Sequence, residues 1–252
     1  MKRFYPCIAI AIVAILSVVP VRAQTPSDWS FDLTGYMWFP ETRTTVTTPR
    51  GDAQTTLSAS DALKNLDVGV MLSGAARRGK WSLVADFLYL DISASKSTPF
   101  GALFSEVEAG TRLMSASGYG LYQVSKGENY RLDVGLGFRA MQSDMTIRFR
   151  PGMLPGEKIK ITDTWVDPLL ALRYRLDFNE KWSAGLALDY GGFGWGSASD
   201  ETWQAVATVG YSFNKQWAVA GGWRYLHVDR ENGEHPYKLK MSGPMLGLTY
   251  RF

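Results

Sequence analysis

The fold is decided by an alternating stretch, Tyr130-Arg131-Leu132-Asp133-Val134-Gly135-Leu136-Gly137-Phe138-Arg139. Tyrosine, leucine, valine and phenylalanine occupy every second position, and arginine, aspartate and glycine lie between them. Successive side chains of a β-strand point to opposite faces of the sheet, so this stretch predicts a strand with one apolar and one polar face. The same period-two pattern recurs in segments of about ten residues from Trp29 to Phe252.

Four short polar turns, at 78–80, 126–129, 179–181 and 214–216, are each followed at once by an aromatic residue. Aromatics also end several of the strands that enter these turns. Aromatic side chains at strand ends form a ring at one level, as the headgroup boundary of a bilayer favours, whereas packing in a soluble sandwich gives no reason for such placement. The predicted membrane-boundary aromatics are Trp81, Tyr130, Trp182, Trp217, Phe178 and Phe213.

The polar strand faces carry charges of both signs together with many glycines. The charged residues predicted to face a lumen are Asp32, Asp67, Asp133, Asp189, Arg131, Arg139, Arg173, Arg175, Arg224 and Arg251. Such a face is costly in an apolar sandwich core, but opposite charges can pair inside a narrow closed barrel. The pattern therefore predicts an all-β fold, a closed antiparallel up-and-down transmembrane β-barrel whose apolar faces contact lipid.

Connection lengths give the strand count and the orientation. Ten strands are predicted, near 29–39, 65–77, 81–92, 107–125, 130–145, 164–178, 182–193, 202–213, 217–229 and 240–252. The long connections are predicted at 40–64, 92–106, 146–163, 194–201 and 230–239. Outer-membrane barrels have short periplasmic turns and longer extracellular loops, so both termini are expected in the periplasm of a Gram-negative bacterium. Eight strands are the alternative, and either count gives a narrow barrel.

The first 23 residues predict export. A basic start, Met1–Arg3, precedes the apolar run Ile8–Leu16, and small or β-branched residues occupy the positions that a signal peptidase recognises. The apolar run is too short to cross a bilayer as a helix, although a retained anchor is the alternative. We therefore predict a signal peptide at 1–23 and an outer-membrane β-barrel at 24–252.

Removing the signal peptide changes the charge balance. The full chain has 27 Lys and Arg against 24 Asp and Glu, and Lys2, Arg3 and Arg22 leave with the signal, so the mature chain has no formal net charge. The basic pI is then no argument for a nucleic-acid partner. The single cysteine, Cys7, also lies in the signal, which excludes a disulfide framework and a thiol nucleophile. We predict no cofactor and no metal.

The C-terminal segment carries an independent signal. Leu246, Leu248 and Tyr250 alternate up to the terminal Phe252. This arrangement resembles the last strand that bacterial barrel proteins present to their assembly machinery. Phe252 is therefore the predicted assembly signal, and the barrel assembly machinery is a predicted partner.

Short motifs extend along the mature chain. They are Leu66-Asp67-Val68-Gly69, Ala85-Asp86-Phe87-Leu88-Tyr89-Leu90, Trp165-Val166-Asp167-Pro168, Asp189-Tyr190-Gly191-Gly192-Phe193-Gly194, Thr202-Trp203-Gln204, Gly222-Trp223-Arg224-Tyr225-Leu226, Ser242-Gly243-Pro244 and Thr249-Tyr250-Arg251-Phe252. Together they resemble an uncharacterised family of proteobacterial outer-membrane β-barrel proteins, over most of the mature chain. The resemblance implies the fold and the location, but no activity.

Basic residues flank a predicted outer turn at 151–156. Arg148 and Arg150 precede the turn, and Lys158 and Lys160 follow it. On neighbouring strands they would form a cationic patch above the membrane, for which lipopolysaccharide phosphates are a natural counterion. A solvated hairpin with scattered charges is the alternative.

An outer-membrane hydrolase, of the protease or lipid A-modifying type, is the enzymatic alternative. His227 and Asp229 share a strand face, so the carboxylate could orient the imidazole as a general base. The pair resembles the His and Asp of omptin proteases only loosely and in reversed order, and Asp91 is a vague candidate for a further acid. An ion pair with Arg230 or Lys240 is the simpler interpretation, and we predict no catalytic residue.

The remaining motif is Arg50-Gly51-Asp52, which matches an integrin-binding tripeptide but is also ordinary turn chemistry. An adhesin is therefore a minor alternative. The leading prediction is a non-enzymatic outer-membrane barrel with a structural or envelope role, or with narrow passage for small solutes. A soluble lipocalin-like β-protein is the alternative outside the membrane.

Overall fold

The alternating segments form antiparallel β-strands joined into one sheet. The structure is a computed structural model that describes residues 29–48, 51–58, 60–61, 66–97, 104–151, 156–231 and 236–252, so the predicted signal peptide lies outside the described residues. The strands are β1 Ser30–Trp38, β2 Glu41–Thr48, β3 Gly51–Leu57, β4 Leu66–Arg78, β5 Trp81–Ser97, β6 Phe104–Lys126, β7 Tyr130–Pro151, β8 Glu157–Asp177, β9 Trp182–Gly192, β10 Glu201–Ser212, β11 Trp217–Arg230 and β12 Tyr237–Arg251. Within these ranges no helix has the length and apolar character needed to cross a membrane.

Ten of these strands close a barrel. β1 pairs with β4, each strand from β4 to β12 pairs with the next, and β12 returns to β1, with Asp32 opposite Arg251 and Trp38 opposite Met245. Every pairing is antiparallel. The predicted closed, ten-stranded, up-and-down barrel is confirmed.

The four short turns lie together at one end of the barrel, which we call the short-turn end. In two of them an asparagine side chain replaces a backbone acceptor: Asn179 Oδ1 accepts the backbone N–H of Trp182 at 2.9 Å, and Asn214 Oδ1 accepts that of Trp217 at 2.7 Å. Asparagine favours such local turns, so these two residues help to set where β8 and β10 end.

The opposite end, the loop end, differs from the predicted connections. The predicted loop at 40–64 contains the hairpin β2–β3, whose first strand pairs with the N-terminal part of β12. Most of 146–163 is strand, because β7 continues to Pro151 and β8 begins at Glu157. The barrel wall therefore extends well beyond the predicted strand ends.

An apolar belt surrounds the short-turn half of the barrel. On β5 the outward side chains are apolar from Trp81, which is 60% exposed, to Tyr89, a length of roughly 9–11 residues as a transmembrane strand requires. The belt ends at a row of polar outward residues that lie opposite one another in register on four adjacent strands. The row consists of Asp91, Arg112, Asp144 and Thr162.

The polarity of the inward side chains changes along the barrel axis in the direction opposite to that of the outer surface. In the short-turn half most inward side chains are small or polar, apart from a small buried cluster that includes Leu121 and Leu169. A larger buried apolar cluster fills the loop-end half. Its members are Tyr36, Trp38, Met71, Leu88, Leu90, Leu113, Met141, Trp165, Leu226, Val228, Leu239 and Met241. Above the belt the barrel thus has an apolar core and a polar surface, the arrangement of a protein in water.

Candidate functional site

A fully buried ion pair lies at the middle of the lumen. Arg139 on β7 donates to Asp189 on β9 at 2.7 Å, and neither side chain is exposed. Asp189 also accepts hydrogen bonds from the Tyr119 hydroxyl at 2.9 Å and the Gln204 amide at 3.0 Å, and Arg139 donates to the Thr202 hydroxyl at 3.1 Å. The carboxylate is thereby held by three donors, which is the condition under which a buried charge is tolerated.

A second ion pair lies beside it. Arg224 on β11 donates to Asp86 at 2.9 Å, to the Tyr36 hydroxyl at 2.6 Å and to the Gln204 carbonyl at 2.9 Å. The Tyr36 hydroxyl in turn donates to Asp86 at 2.9 Å, and the guanidinium carbon lies 4.8 Å from the centre of the Trp38 ring. Because Gln204 contacts both pairs, the two form one hydrogen-bonded unit.

We call this unit the central network. It draws side chains from seven of the ten barrel strands, and its two cations balance its two anions. Its members are Tyr36, Asp86, Tyr119, Arg139, Asp189, Thr202, Gln204 and Arg224. The arrangement fills the lumen at the level where the polar and apolar interiors meet.

The connection between β9 and β10 folds inward at the loop end. Ser199 is fully buried and donates to Asp167 through its backbone N–H at 2.7 Å and its hydroxyl at 3.0 Å. Asp167 also accepts the Trp165 indole N–H at 3.1 Å. Arg230 donates to the carbonyl of Ser197 at 3.1 Å and pairs with Asp163.

The glycines before this connection permit its path. Gly192 has φ +91°, and a Cβ there would meet the carbonyl oxygen of Ser199 at 2.4 Å. The next residue, Phe193, adopts φ +62°, which is rare for a residue with a side chain. The tight reversal lets residues 197–199 enter the barrel mouth.

The predicted lumen charges fall into two groups. Arg139, Asp189 and Arg224 belong to the central network. Nearer the short-turn end, a cavity of about 310 Å³ is lined by Asp32, Asp133, Arg131, Arg173, Arg175 and Arg251. The side chain of Asp67 lies outside the described part of the structure. Five members of the central network are absent from the predicted lumen charges, namely Tyr36, Asp86, Tyr119, Thr202 and Gln204. All five lie on inward strand faces, and Asp86, an acid inside an apolar run, is the one that the sequence could have indicated.

The six predicted boundary aromatics all lie exposed at the short-turn end. Trp81 packs edge-on against Tyr122 at 5.0 Å, and Trp217 against Tyr250 at 4.9 Å. A second aromatic group, which the prediction omits, lies at the other edge of the belt, where Trp203 stacks on Tyr225 at 4.4 Å. These residues recur about ten positions from a turn, a spacing that could have identified them.

The predicted basic patch lies on the outer wall above the belt. Arg148 is directly opposite Lys158 in register, and Lys160 is opposite Thr146. Arg150, Lys158 and Lys160 are exposed, and the strand alternation places all four basic residues on the outward side; we call this surface the basic face. The side chain of Arg148 and residues 152–155 lie outside the described part of the chain.

The polar row directly below the basic face is tightly bonded. Arg112 contacts Asp91 at 2.8 Å, and the Thr162 hydroxyl donates to Asp144 at 2.6 Å, which lowers the pKa of that carboxyl. The carboxylates of this row therefore already have partners, whereas Lys158 and Lys160 have no ion pair to any described residue. Lys158 and Lys160 therefore place two exposed ammonium groups on the basic face.

The proposed acid–base pair at 227–229 is not formed. Asp229 pairs with Lys238 at 2.9 Å, rather than with Arg230 or Lys240, and it raises the pKa of that lysine. His227 lies on the outer wall, its Nδ1 has no hydrogen-bond partner among the described residues, and burial together with the charge of Lys240 lowers its pKa. Asp229 therefore does not orient the imidazole.

The other catalytic candidates do not complete a site. Asp91 is also on the outer wall, bonded to Arg112, and three strands separate β5 from β11 on the shorter way round. His235 and Arg50 lie outside the described residues, while Gly51 and Asp52 begin β3. In the described ranges no group of three or more acidic, histidine or cysteine side chains is placed to hold a metal ion.

A closed ten-stranded antiparallel barrel with an apolar belt and a polar lumen defines the fold class of outer-membrane β-barrel proteins. The chain is similar to outer membrane protease OmpT from Escherichia coli, with a TM-score of 0.56 and 14% identity over 92% of this chain and 99% of that one. It is also similar to the translocator domain of autotransporter NalP from Neisseria meningitidis (TM-score 0.47, 13% identity, 89% and 88% covered) and to Ail of Yersinia pestis (0.36, 11%, 89% and 98%).

At these identities the likeness shows the fold and nothing further. No protein-family model and no curated protein matches the sequence. The resemblance to an uncharacterised proteobacterial family therefore stays a prediction.

Proposed function

We propose that the chain is an integral outer-membrane protein of a Gram-negative bacterium, with the short-turn end and both termini in the periplasm. The apolar belt has the length of a bilayer-spanning strand. The exposed aromatics at the short-turn edge and the outward, half-buried Trp203 and Tyr225 at the other edge suit the two headgroup boundaries. Fractionation of cells should recover the protein with the outer membrane, and unheated and boiled samples should migrate differently on a gel. Mature protein that stays monodisperse in buffer without detergent would contradict the proposal.

The barrel acts as a closed envelope component rather than as an open pore. The observation that carries this proposal is the central network, whose paired arginines and aspartates cross the lumen and are covered by the apolar cluster on the loop-end side. Residues 197–199 add a further layer in the mouth. Breaking this packing would expose buried charge, so spontaneous opening is costly.

Planar-bilayer recordings test the closed lumen. We expect the purified protein to give no stable conductance steps at moderate voltage. A matched porin preparation in the same bilayer shows that insertion is detectable. Reproducible steps from the wild-type barrel would instead support passage of small solutes and would refute the closed state.

The basic face is proposed to bind the phosphates of lipopolysaccharide. It lies on the outer wall directly above the belt, at the height where lipid headgroups begin, and it belongs to the end proposed to face outward. Arginine and lysine together suit such anions, since guanidinium binds phosphate with two hydrogen bonds and ammonium adds a compact charge. An adhesive role through Arg50-Gly51-Asp52 gains no such support.

Copurification measures this contact. The quadruple variant Arg148→Glu, Arg150→Glu, Lys158→Glu and Lys160→Glu should lose most of the lipopolysaccharide that copurifies with the wild type in detergent. The matched control reverses four exposed lysines at the short-turn end, namely Lys80, Lys126, Lys181 and Lys215. Equal amounts of copurifying lipopolysaccharide for both variants and the wild type would contradict this part of the proposal.

We propose no enzymatic activity. A general base requires an oriented imidazole, and here the only described histidine faces outward while its neighbouring carboxylate is bonded to Lys238. Peptide and lipid A substrates should therefore be hydrolysed no faster by the wild type than by His227→Ala. Hydrolysis that disappears in His227→Ala would overturn this view.

A further inference from the structure

The short-turn half of the lumen contains a cationic cavity, which we call the vestibule. Its volume is about 310 Å³, and a second space of about 250 Å³ continues it up to Asp86 and Arg224 of the central network. Both spaces share Thr34, Ser73 and Arg173 in their linings. The vestibule therefore runs from the short-turn mouth to the network that forms its floor.

Arginines outnumber carboxylates in this wall. Five arginines line the vestibule, Arg77, Arg131, Arg173, Arg175 and Arg251, against two aspartates, Asp32 and Asp133. Both aspartates are already occupied: Arg77 contacts Asp32 at 2.6 Å, and Arg131 contacts Asp133 at 3.0 Å. Arg175 pairs with Asp177 at 2.8 Å.

Two arginines are left without a carboxylate anywhere in the described chain. The guanidinium of Arg251 donates to the Ser212 hydroxyl at 3.2 Å and to no other described side chain. Arg173 lies with its guanidinium carbon 4.7 Å from the centre of the Tyr119 ring, and its Nη1 atom is buried with no hydrogen-bond partner. An unsatisfied buried donor on a charged group is costly, so the site favours an acceptor that brings negative charge.

One acceptor atom in the vestibule wall, Asp133 Oδ1, lacks a hydrogen-bond donor. Asp133 lies directly opposite Arg173 in register, and its Oδ1 atom is buried and accepts no hydrogen bond. A phosphate that keeps one P–OH group can accept from arginine through its charged oxygens and donate to such a carboxylate. Sulfate is fully ionised at neutral pH and offers no donor.

We propose that the vestibule binds inorganic phosphate or another small hydrogen-bearing phosphate, which enters from the short-turn end. Arg173 and Arg251 supply the unpaired charge, and Asp133 accepts the P–OH hydrogen. The volume is at the lower end of that of small-molecule pockets, which suits a ligand of this size. Because the central network closes the floor, the vestibule is a binding site and not a conduit. The inference goes beyond the envelope role and does not depend on the basic face.

Isothermal titration calorimetry on the full mature barrel in detergent tests the site, with inorganic phosphate and sulfate as probes at low ionic strength. Phosphate should bind, and the affinity for sulfate should be lower by a factor of about ten or more. Arg173→Gln combined with Arg251→Gln should weaken phosphate binding about tenfold or more, whereas Arg173→Lys keeps the charge and should retain part of the affinity. The control Lys215→Gln removes one exposed charge at the same end and should leave the affinity unchanged.

A second measurement does not depend on arginine variants that fold poorly. The mature chain has no cysteine, so Ser183→Cys places a single thiol in the vestibule wall without removing the partner of Arg251. Phosphate should slow its reaction with a maleimide, and sulfate at equal ionic strength should not. Absent phosphate binding, or no protection of the thiol, would overturn the site. Sulfate binding as tight as phosphate would overturn the assignment to a hydrogen-bearing phosphate.

Discussion

The two halves of the barrel wall are built on opposite patterns, although the same strands run through both. In the short-turn half of β11, Trp223 points outward and is 54% exposed, while Arg224 points into the lumen. A few residues further on, Leu226 points inward and is fully buried, while His227 points outward. The short-turn half exposes apolar groups and carries its charges in the lumen, whereas the loop-end half buries an apolar cluster and has a polar outer wall.

The two patterns suit two different surroundings along the same strand, lipid hydrocarbon and water. The short-turn half suits a hydrocarbon surround, where outward apolar groups cost nothing and the lumen must satisfy its own charges. The loop-end half suits water, where burial of the apolar cluster stabilises the wall. The central network lies at the boundary and joins the two. Substitutions should therefore have different effects according to the half in which they lie.

The largest effect is expected at the buried ion pair. Asp189→Asn leaves Arg139 as a fully buried cation without its counter-charge, and we expect it to lower the free energy of unfolding by about 3–5 kcal/mol. Asp32→Asn removes the partner of Arg77 in the more accessible vestibule, so its cost should stay below about 1 kcal/mol. Urea unfolding of the two variants in phospholipid vesicles measures both, and equal losses would contradict a sharp distinction between network and vestibule.

The sequence predicts most of the fold but little of this network. Strand positions follow from local alternation and from turn residues such as Asn179 and Asn214, which act over a few residues. The partners of Arg224 are fixed by barrel closure, since Tyr36 is 188 residues away and Asp86 is 138 residues away. No local pattern contains that information.

The extension of β7 and β8 past the predicted ends has a related cause. Prediction from apolar residues on one face fails where that face becomes polar. On β7 and β8 the outward positions are polar from the pair Gln142 and Thr164 toward the loop end. The sequence pattern therefore predicts a loop at 146–163, where β7 and β8 in fact continue. Above the belt the alternation continues, but the apolar residues move from the outward face to the inward face. That exchange of faces is the sequence signal for a strand that extends beyond the membrane.

The second effect compares two inward residues of β5. Leu88 is fully buried in the apolar cluster, so Leu88→Ala should lower the free energy of unfolding by about 2–5 kcal/mol through lost burial and a cavity. Val84 borders the vestibule and packs against the smaller buried cluster, so its truncation mainly enlarges an existing space and Val84→Ala should cost about 1 kcal/mol. Unfolding midpoints in vesicles measure both; a larger loss for Val84→Ala would show that the loop-end core is not the better-packed half.

The third effect tests the inward connection at 193–200. Gly192→Ala places a Cβ within 2.4 Å of the Ser199 carbonyl at a positive φ, and should cost about 2–3 kcal/mol. Gly196 also has a positive φ, but a Cβ there meets nothing within 4 Å, so Gly196→Ala should cost only about 1 kcal/mol. Thermal unfolding followed by the gel-mobility shift compares the two. A smaller loss for Gly192→Ala would mean that residues 197–199 do not contribute to stability.

The smallest expected effect is on the pH dependence of stability. It concerns the outer wall of the loop-end half, where titratable side chains take the outward positions that apolar side chains occupy in the belt. Burial and the neighbouring Lys240 lower the pKa of His227 below its ordinary value of 6.5. Lys238 adds to this effect, while Glu201 and Asp229 oppose it. A group whose pKa is lower in the folded state contributes stability above its unfolded pKa and loses that contribution as the pH falls.

The wild-type barrel should therefore be slightly less stable at pH 5.5 than at pH 7.5, and His227→Gln should reduce that difference. Urea midpoints of both proteins at the two pH values measure it, with Asp144→Asn as a control because that carboxyl titrates well below this range. An unchanged pH difference in His227→Gln would assign the sensitivity to groups outside this wall.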